Sequence, residues 1–283
     1  MRVLIFGAGG QLGIELVNAA RAGGHEVVGL RRADHDITDY QATRTQIIDE
    51  APDIVFNPAA YNGVDRAETD AAAAWQVNAV APGVIAAACL DAGSTLVHYS
   101  TDFVFDGTAH SPIPETQPVA PLGEYGRGKH AGEQAVRDAG LAAAYLVRTA
   151  WVFGEGANFI RTVLRVTRER GEMRVVHDQR GSPTWARDLA GASLRLIEVG
   201  EPGIYHLTNS GDCSKYELAV RVVELAGVDA TVTPISTHEY PTPARRPAYS
   251  VLDNRRWRDL GEPPLRVWDE AVAEYVRELR AAP

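Results

Sequence analysis

Cysteine is almost absent from this sequence. Only Cys89 and Cys213 occur among 283 residues, which is too few for a disulfide framework. Neither cysteine has neighbours at the spacing of a metal-binding motif. We therefore interpret both as small apolar residues and predict no metal site. Such cysteine usage fits a reducing, cytoplasmic location.

The sequence also lacks an excess of positive charge and a long apolar run. Its formal net charge of −9 argues against a nucleic-acid partner and against an anionic membrane surface. No apolar run is expected to reach the length of a membrane helix, and the chain starts with a strand and a glycine loop rather than a signal peptide. With 45% hydrophobic residues and no repeat or flexible linker, it predicts one large or two smaller globular domains.

A glycine-rich loop follows the first apolar run. Arg2 to Phe6 is typical of a buried parallel strand, and a helix is expected from Leu12 to Ala22. Glycines between them let the backbone turn tightly and approach a pyrophosphate at the positive end of the helix. We therefore predict a dinucleotide-binding loop that contacts the cofactor through Gly7, Gly10, Gln11, Leu12 and Gly13.

The end of the second strand predicts which dinucleotide binds. An acidic residue often ends this strand in proteins that prefer NAD, because it holds the ribose hydroxyls. Here Glu26 to Leu30 is followed by Arg31 and Arg32, whose guanidinium groups suit a 2′-phosphate. The sequence therefore predicts NADPH as the preferred cofactor, with NADH as the alternative.

Two further stretches are expected to contact the cofactor. Asp36 and Ile37 lie a few residues beyond the arginines, where a side chain can reach the adenine. The third strand, Asp53 to Asn57, leads into a loop of small residues that can lie against the cofactor. The candidate contacts in that loop are Ala60, Tyr61 and Asn62.

Strands and helices alternate through the first half of the chain. An alanine-rich helix is expected to start at Val64 and run past Asn78, with a kink or break at Pro82. After Thr149 the pattern changes to loops, short strands and helices. We predict an α/β fold, with a Rossmann-like doubly wound parallel sheet over residues 1–150. Residues 151–283 are expected to form mainly a smaller α/β substrate-binding domain, with later segments returning to the first.

A hydroxyl, a phenol and an ammonium are expected to meet at the fourth strand. This strand, Thr95 to Tyr99, leads directly to Thr101. Tyr125 and Lys129 stand at i and i+4 of the next helix, so they share one face. We expect the cation to lower the pKa of the phenol toward the working pH, and Thr101 to hold a carbonyl oxygen. These residues predict a carbonyl reductase or alcohol dehydrogenase centre.

These motifs together resemble a known superfamily, the extended short-chain dehydrogenase/reductases. A finer resemblance, which covers Met1 to about Trp257, is to the dTDP-4-dehydrorhamnose reductase family. Its most specific segment is Tyr240-Pro-Thr-Pro-Ala-Arg-Arg-Pro247. The other matching segments are Val64-Asp65-Arg66-Ala67-Glu68, Tyr99-Ser-Thr-Asp102, Arg148-Thr-Ala-Trp-Val-Phe153, Asp178-Gln179 and Gly181-Ser-Pro-Thr184.

The resemblance implies NADPH-dependent reduction of the 4-keto group of a nucleotide sugar, a dTDP-4-dehydro-6-deoxyhexose such as dTDP-4-dehydro-L-rhamnose. It implies that Tyr125 donates the proton, Lys129 holds the nicotinamide ribose and Thr101 orients the carbonyl. The implied substrate-binding residues are Thr101, Asp102, Trp151, Asn158 and Arg246.

The chain departs from the family pattern at several positions. Asn62 stands where a threonine is frequent, and Phe103 replaces a frequent tyrosine near the substrate. Some relatives form metal-linked dimers through glutamates. Glu15 matches one such position, but Arg187 occupies another, and a cation cannot bind a metal. We therefore expect a monomer or a homodimer without a bridging metal.

Three alternatives to this function remain open. A nucleotide-sugar dehydratase needs an acid directly after Asp102, where this chain has Phe103. A 4-ketoreductase for another TDP-deoxysugar, used in natural-product glycosylation, would share the whole scaffold. A non-enzymatic nucleotide-binding regulatory subunit would have no need of Tyr125 and Lys129, which are both present.

Overall fold

The computed structural model describes residues 1–281. Its helices are α1 Gln11–Ala22, α2 Tyr40–Glu50, α3 Val64–Ala67, α4 Ala71–Trp75, α5 Ala81–Ala92, α6 Glu124–Asp138, α7 Phe159–Arg170, α8 Ala186–Val199, α9 Lys215–Ala226, α10 Arg255–Asp259 and α11 Trp268–Ala281. Its strands are β1 Arg2–Phe6, β2 Glu26–Leu30, β3 Ile54–Asn57, β4 Thr95–Thr101, β5 Ala144–Thr149, β6 Val152–Phe153, β7 Glu172–Val176, β8 Arg180–Gly181, β9 Thr184–Trp185, β10 Gly203–His206, β11 Cys213–Ser214 and β12 Thr231–Ile235.

Six parallel strands form the central sheet, in the order β10-β5-β4-β3-β1-β2. The chain builds outward from β1 to β2, then crosses back to add β3, β4 and β5 on the other side. Such a reversal places helices on both faces and opens a crevice at the carboxyl ends of the strands. The predicted Rossmann-like, doubly wound α/β fold is confirmed.

Alternating residues of β1 serve two cores on opposite faces of the sheet. Ile5 belongs to a cluster with Leu189 of α8, whereas Phe6 belongs to a cluster with Ile85 of α5. All four side chains are fully buried, because successive side chains of a strand point to opposite faces. The sheet is therefore covered on both sides, and its binding crevice lies at its edge.

The second half of the chain contributes to both regions of the molecule. Strand β10 pairs in parallel with β5, and α8 packs on α1, so these elements join the nucleotide-binding sheet. Helices α7, α9 and α11 surround a separate core that contains Trp185 and Val222. Short strands, including the parallel pair β7 and β12, complete this region. The domain division at residue 150 stays a prediction.

The alanine-rich segment after β3 is less regular than predicted. Helix α3 ends at Ala67, and a second helical run begins at Ala71. Within that run a π-helical turn, Gln76–Val80, directly precedes Pro82, which takes one of the first positions of α5. The irregularity expected at Pro82 is therefore present, but the break at residues 68–70 was not anticipated.

The same run corrects the expectation about apolar length. Residues Ala71–Ala92 are long and apolar enough to cross a membrane by length and composition, with a mean hydropathy of 1.5. Half of that stretch is buried inside the fold, where it packs against α2 and α6. A buried core helix satisfies the same criteria, so the stretch is weak evidence for a membrane span.

Candidate active site

A cavity of about 390 Å³ lies at the carboxyl ends of β4 and β5, beside the loop after β1. It is the place where an open α/β sheet binds its ligands. Eight of the predicted site residues that line it are Gly10, Gln11, Leu12, Gly13, Thr101, Asp102, Tyr125 and Lys129. Four more are Ala60, Asn62, Trp151 and Arg246.

The glycine loop is folded so tightly that side chains are excluded. Gly7 has a φ of 73°, in the left-handed region that favours glycine. A Cβ on Gly13 would lie 2.1 Å from the carbonyl oxygen of Gly7. Gly10 begins α1 without a side-chain cap, so the backbone N–H groups of the first turn have no side-chain acceptor. The loop therefore fits an anionic group such as a pyrophosphate.

A second cavity adjoins the first and contains the other predicted cofactor contacts. Pro58, Ala60 and Asn62 line both cavities, so the two are continuous along the β3 loop. The predicted cofactor residues that line the second cavity are Gly7, Gly10, Arg31, Arg32, Asp36, Ile37, Ala60, Tyr61 and Asn62. The two cavities together bring every predicted cofactor residue to one continuous surface.

Arg31 is not the free cation that the sequence pattern suggested. Its Nε lies 2.7 Å from Oδ2 of Asp34, and its Nη2 lies 3.0 Å from Oδ1. Asp34 therefore supplies a carboxylate at the end of the second strand, where the sequence analysis found no acid. Both side chains are substantially exposed, so this pair is screened by water.

The predicted catalytic residues Thr101, Tyr125 and Lys129 lie together in the first cavity. Thr101 ends β4, and its hydroxyl donates to Oδ1 of Asp102 at 3.0 Å. The backbone N–H of Phe103 donates to the same hydroxyl at 3.2 Å. Tyr125 lies in the first turn of α6, and the Phe103 ring packs edge-on against it with centroids 5.6 Å apart.

The prediction that Lys129 lowers the pKa of Tyr125 is wrong for the protein alone. Burial raises the pKa of Tyr125 to about 12, and the Thr101 hydroxyl opposes this shift only in part. Burial also lowers the pKa of Lys129 to about 8, while the nearby Glu133 carboxylate raises it. Loss of hydration is therefore the dominant effect, and the phenol keeps its proton at neutral pH.

The predicted substrate residues do not all reach the cavity. Arg246 lines it and binds Asp65 of α3 through both ends of its guanidinium, with distances of 3.0 and 2.8 Å. Trp151 also lines it, in a left-handed conformation with a φ of 47°. One face of its ring carries the Lys215 ammonium, whose Nζ is 3.3 Å from the ring centroid.

Asn158 has a structural role in α7 and does not line this cavity, and its assignment to the substrate site stays a prediction. It is the N-cap of α7, where its side-chain oxygen accepts from the backbone N–H of Arg161 at 3.0 Å. Its side-chain nitrogen donates to the carbonyl oxygen of Gly154 at 2.7 Å and to the Tyr275 hydroxyl at 2.9 Å. The side-chain amide of Asn158 is therefore occupied by bonds that hold the start of α7. Asn158 is absent from the cavity lining.

Several residues that the sequence analysis did not assign to the site also line the cavity. They include Gln179, Lys215, Pro247 and Ser250. Gln179 and Pro247 fall inside segments that carried the family resemblance, which was the available signal. Lys215 follows the Ser214 cap of α9, and no pattern in its neighbourhood distinguishes it from a solvated helix-start lysine.

The expected absence of a metal site stays a prediction. Residues 1–281 contain no group of three or more His, Cys, Asp or Glu side chains arranged to hold a metal. Arg187 stands beside Glu15 with an N–O distance of 3.7 Å, and it binds Glu278 at 2.7 and 3.0 Å. Its guanidinium thus neutralises carboxylates that would otherwise attract a metal cation.

Known proteins resemble this chain over its whole length. The family model described as "RmlD substrate binding domain" matches residues 1–281. A dTDP-4-dehydrorhamnose reductase of Mycolicibacterium smegmatis is 43% identical, over 97% of this chain and 85% of that protein. A Streptomyces antibioticus protein named "Probable dTDP-4,6-dihydroxy-2-methyloxan-3-one 4-ketoreductase" is 44% identical, over 100% of this chain and 97% of that protein. The crystal structure of dTDP-4-dehydrorhamnose reductase from Bacillus anthracis in complex with NADP has a TM-score of 0.95 and 34% identity, covering 98% of this chain and 99% of that one.

Proposed function

This chain belongs to the family of the RmlD substrate binding domain, and we propose that it reduces the 4-keto group of a dTDP-4-dehydro-6-deoxyhexose at the expense of NADPH. The proposed substrate is dTDP-4-dehydro-L-rhamnose, and the product is dTDP-L-rhamnose. One observation carries the proposal. A single cavity extends from the glycine loop past Thr101, Tyr125 and Lys129 to Asp102 and Arg246. The same cavity therefore contains a loop for the dinucleotide, a proton donor and polar side chains for the sugar nucleotide.

The residues of the two adjoining cavities fit a dinucleotide. The glycine loop leaves no space for a Cβ at Gly13, and the uncapped start of α1 offers N–H donors to a pyrophosphate. When bound, NADPH supplies the hydride. Arg31 and Arg32 at the second cavity support NADPH over NADH, as does the NADP bound to the Bacillus anthracis relative.

Tyr125 is the proposed proton donor, because its raised pKa keeps the phenol protonated until the carbonyl oxygen gains negative charge. Lys129, which is buried one helical turn away, would stabilise the tyrosinate that remains. Thr101 would orient the carbonyl by turning its hydroxyl hydrogen from Asp102 to the substrate oxygen. Glu133 helps Lys129 to keep its charge in this buried position.

The test is the oxidation of NADPH, followed by absorbance, with dTDP-4-dehydro-L-rhamnose generated in the cuvette and NADH run in parallel. We expect rapid turnover, with a higher kcat/KM for NADPH. Turnover only with other keto sugars would show that the proposed substrate is wrong and that the proposed reaction is right. If neither cofactor binds, the proposed reductase function is wrong.

A ketoreductase for another TDP-deoxysugar is the second candidate. The Streptomyces antibioticus relative carries such a name and is as similar to this chain as the rhamnose-forming relative. The ratio of kcat/KM for dTDP-4-dehydro-L-rhamnose and for a 2,6-dideoxy keto sugar distinguishes the two candidates. A regulatory subunit is disfavoured because Thr101, Tyr125 and Lys129 line one cavity. A stoichiometric partner found together with no turnover of any keto sugar would favour it.

We also propose that the protein acts in the cytoplasm as a monomer or homodimer, without nucleic-acid or membrane partners. Its two thiols, Cys89 and Cys213, are both buried and unpaired, which suits a reducing compartment. Cell fractionation and light scattering on the purified protein test these two statements separately.

A further inference from the structure

The distribution of lysine in this protein is unusual. The sequence contains 28 lysine and arginine residues, and only Lys129 and Lys215 are lysine. Both lysines line the first cavity. Lys129 has an assigned role beside Tyr125, whereas Lys215 has none. An ammonium that loses part of its hydration in a cavity is costly unless something binds it.

Aromatic rings hold the Lys215 side chain in the first cavity. It is the first residue of α9, and its Nζ lies 3.3 Å from the Trp151 ring centroid and 5.0 Å from that of Phe159. Within residues 1–281, no carboxylate oxygen lies within 4.0 Å of this nitrogen, and no hydrogen bond uses it. The ammonium is therefore fixed in position with its N–H donors still available.

A carboxylate oxygen in the same cavity also lacks a partner. Asp102 is 2% exposed, and its Oδ1 accepts from Thr101. Its Oδ2 is buried and has no hydrogen-bond partner in the described part of the chain. A buried acceptor without a partner is unfavourable, so a ligand that supplies a donor is favoured.

Asp102 and Lys215 influence each other although they do not form a direct ion pair. Burial raises the pKa of Asp102 to about 6, and the hydroxyls of Ser250 and Thr101 oppose this shift, followed by the charge of Lys215. Burial lowers the pKa of Lys215 to about 7, and the charge of Asp102 opposes that shift in turn. Both groups line the first cavity, and no nitrogen–oxygen distance between them is 4.0 Å or less. The gap suits a group that can donate to one and accept from the other.

We propose that Lys215 and Asp102 form a hexose-hydroxyl subsite that determines which keto sugar is reduced. A sugar hydroxyl bridges them, donating its hydrogen to Oδ2 of Asp102 and accepting from Nζ of Lys215. The inference rests on the proposed reductase function, since it names the sugar class of the same cavity. It selects a 6-deoxyhexose that keeps its 2- and 3-hydroxyls and disfavours a 2-deoxy or 3-deoxy counterpart, because the missing hydroxyl leaves both groups unpaired. An amino sugar is disfavoured as well, because its ammonium meets that of Lys215.

The size of the selection follows from how enclosed the subsite is. A fully enclosed site built to bind a hydroxyl can reject the analogue without it by about 10⁴–10⁵. Lys215 is only half-buried, so water can replace part of the lost interaction. We therefore expect a discrimination of about 10–100-fold in kcat/KM, which corresponds to one or two lost hydrogen bonds.

The kinetic test compares wild type with Lys215→Met and Lys215→Gln. Methionine keeps an unbranched stem against Trp151 without a donor, whereas glutamine keeps a neutral donor. The substrates are dTDP-4-dehydro-L-rhamnose and its 2-deoxy and 3-deoxy counterparts. We expect Lys215→Met to lower kcat/KM about 10–100-fold for the hydroxylated sugar and to reduce its preference over at least one deoxy counterpart to near one. Lys215→Gln should recover part of that preference, and the Kd for NADPH should stay unchanged. An unaltered preference in Lys215→Met overturns the subsite.

A binding measurement separates the subsite from the reductase function. Reductive methylation with ¹³C-formaldehyde labels at most Lys129, Lys215 and the terminal amine, so the spectrum is simple and Lys215→Met identifies the Lys215 signal. We expect dTDP-L-rhamnose to shift that signal and dTDP alone to leave it in place. Equal shifts from both ligands would place the ammonium on the diphosphate and overturn the inference, as would no shift from either. If wild type reduces no keto sugar but the selective shift occurs, the proposed function fails and the subsite stands.

Discussion

Arg148 of β5 binds Glu133 of α6 through two parallel hydrogen bonds of 2.9 and 2.7 Å. The two side chains are 3% and 0% exposed, so the pair is inside the interface between sheet and helix. Glu133 lies one helical turn after Lys129, and its charge favours the protonated form of that lysine. This buried ion pair therefore connects the stability of the fold with the electrostatics of the site.

Glu133→Gln should strongly destabilise the protein, because it leaves the Arg148 guanidinium buried without its counter-charge. Removing one partner of a buried pair costs about 3–5 kcal/mol. Urea unfolding at neutral pH measures the change. The control is Glu169→Gln, which breaks an exposed i,i+4 pair with Arg165 and should cost less than about 1 kcal/mol. Equal losses in the two variants would contradict the role of burial.

The same pair gives stability a defined dependence on pH. Burial alone would raise the pKa of the Glu133 carboxyl, but its bonds with Arg148 hold it well below the usual value of 4.5. Because the pKa is depressed in the folded state, this stabilisation is present above about pH 4.5 and is lost as the pH falls. Between neutral and acidic pH, the urea concentration at the unfolding midpoint should therefore fall less for Glu133→Gln than for wild type.

Tyr125→Phe should keep NADPH binding and lose about 10²–10⁴ in kcat, the usual contribution of a general acid. The phenyl ring keeps its edge contact with Phe103, so the fold should be unaffected. Tyr240→Phe is the matched control, since Tyr240 is 61% exposed and outside the cavity lining. Unchanged turnover in Tyr125→Phe would show that another group donates the proton.

The affinity for dTDP-L-rhamnose should be greatest between about pH 6 and pH 7. Below about 6 Asp102 gains a proton, and above about 7 Lys215 loses one, so only between them are both groups charged. Lys129, Tyr125 and Arg246 also line the cavity, but the pKa values of Lys129 and Tyr125 are higher, near 8 and 12. Isothermal titration calorimetry across pH 5–8 measures the profile. In Lys215→Met, the affinity should no longer weaken above about pH 7. A profile identical to that of wild type would contradict the assignment of Lys215 to the subsite.

Arg31→Asp should narrow or reverse the preference for NADPH over NADH, because a carboxylate repels the 2′-phosphate and accepts from the ribose hydroxyls. Asp34→Ala should do the opposite, since it frees the Arg31 guanidinium from its present partner. Fluorescence titration gives the Kd of each cofactor. Arg44→Ala, which removes an exposed ion pair with Asp91 on α2 and α5, is the control. An identical ratio of the Kd values for NADPH and NADH in all variants would show that Arg31 does not determine the preference.

The secondary structure could be predicted where neighbouring residues determine it. Strands β1 and β2 have the predicted bounds, because short apolar runs and the residues that end them are local signals. Helix α2 was not anticipated, since it buries only Thr43 and Ile47 and shows little amphipathic pattern. Strand β12 was also missed, since it is mostly exposed and depends on its partner β7.

The sequence by itself determined the glycine turn at Gly7 and Gly13 and the shared helical face of Tyr125 and Lys129, because steric limits and helical spacing are local properties of the chain. Only the tertiary structure decided what each side chain meets. It paired Arg246 with Asp65, which is 181 residues away, and it brought Lys215 and Asp102 into one cavity. It also committed Asn158 to a helix cap. Such contacts depend on how distant segments pack at the end of the sheet, and burial there sets the charges that decide the chemistry.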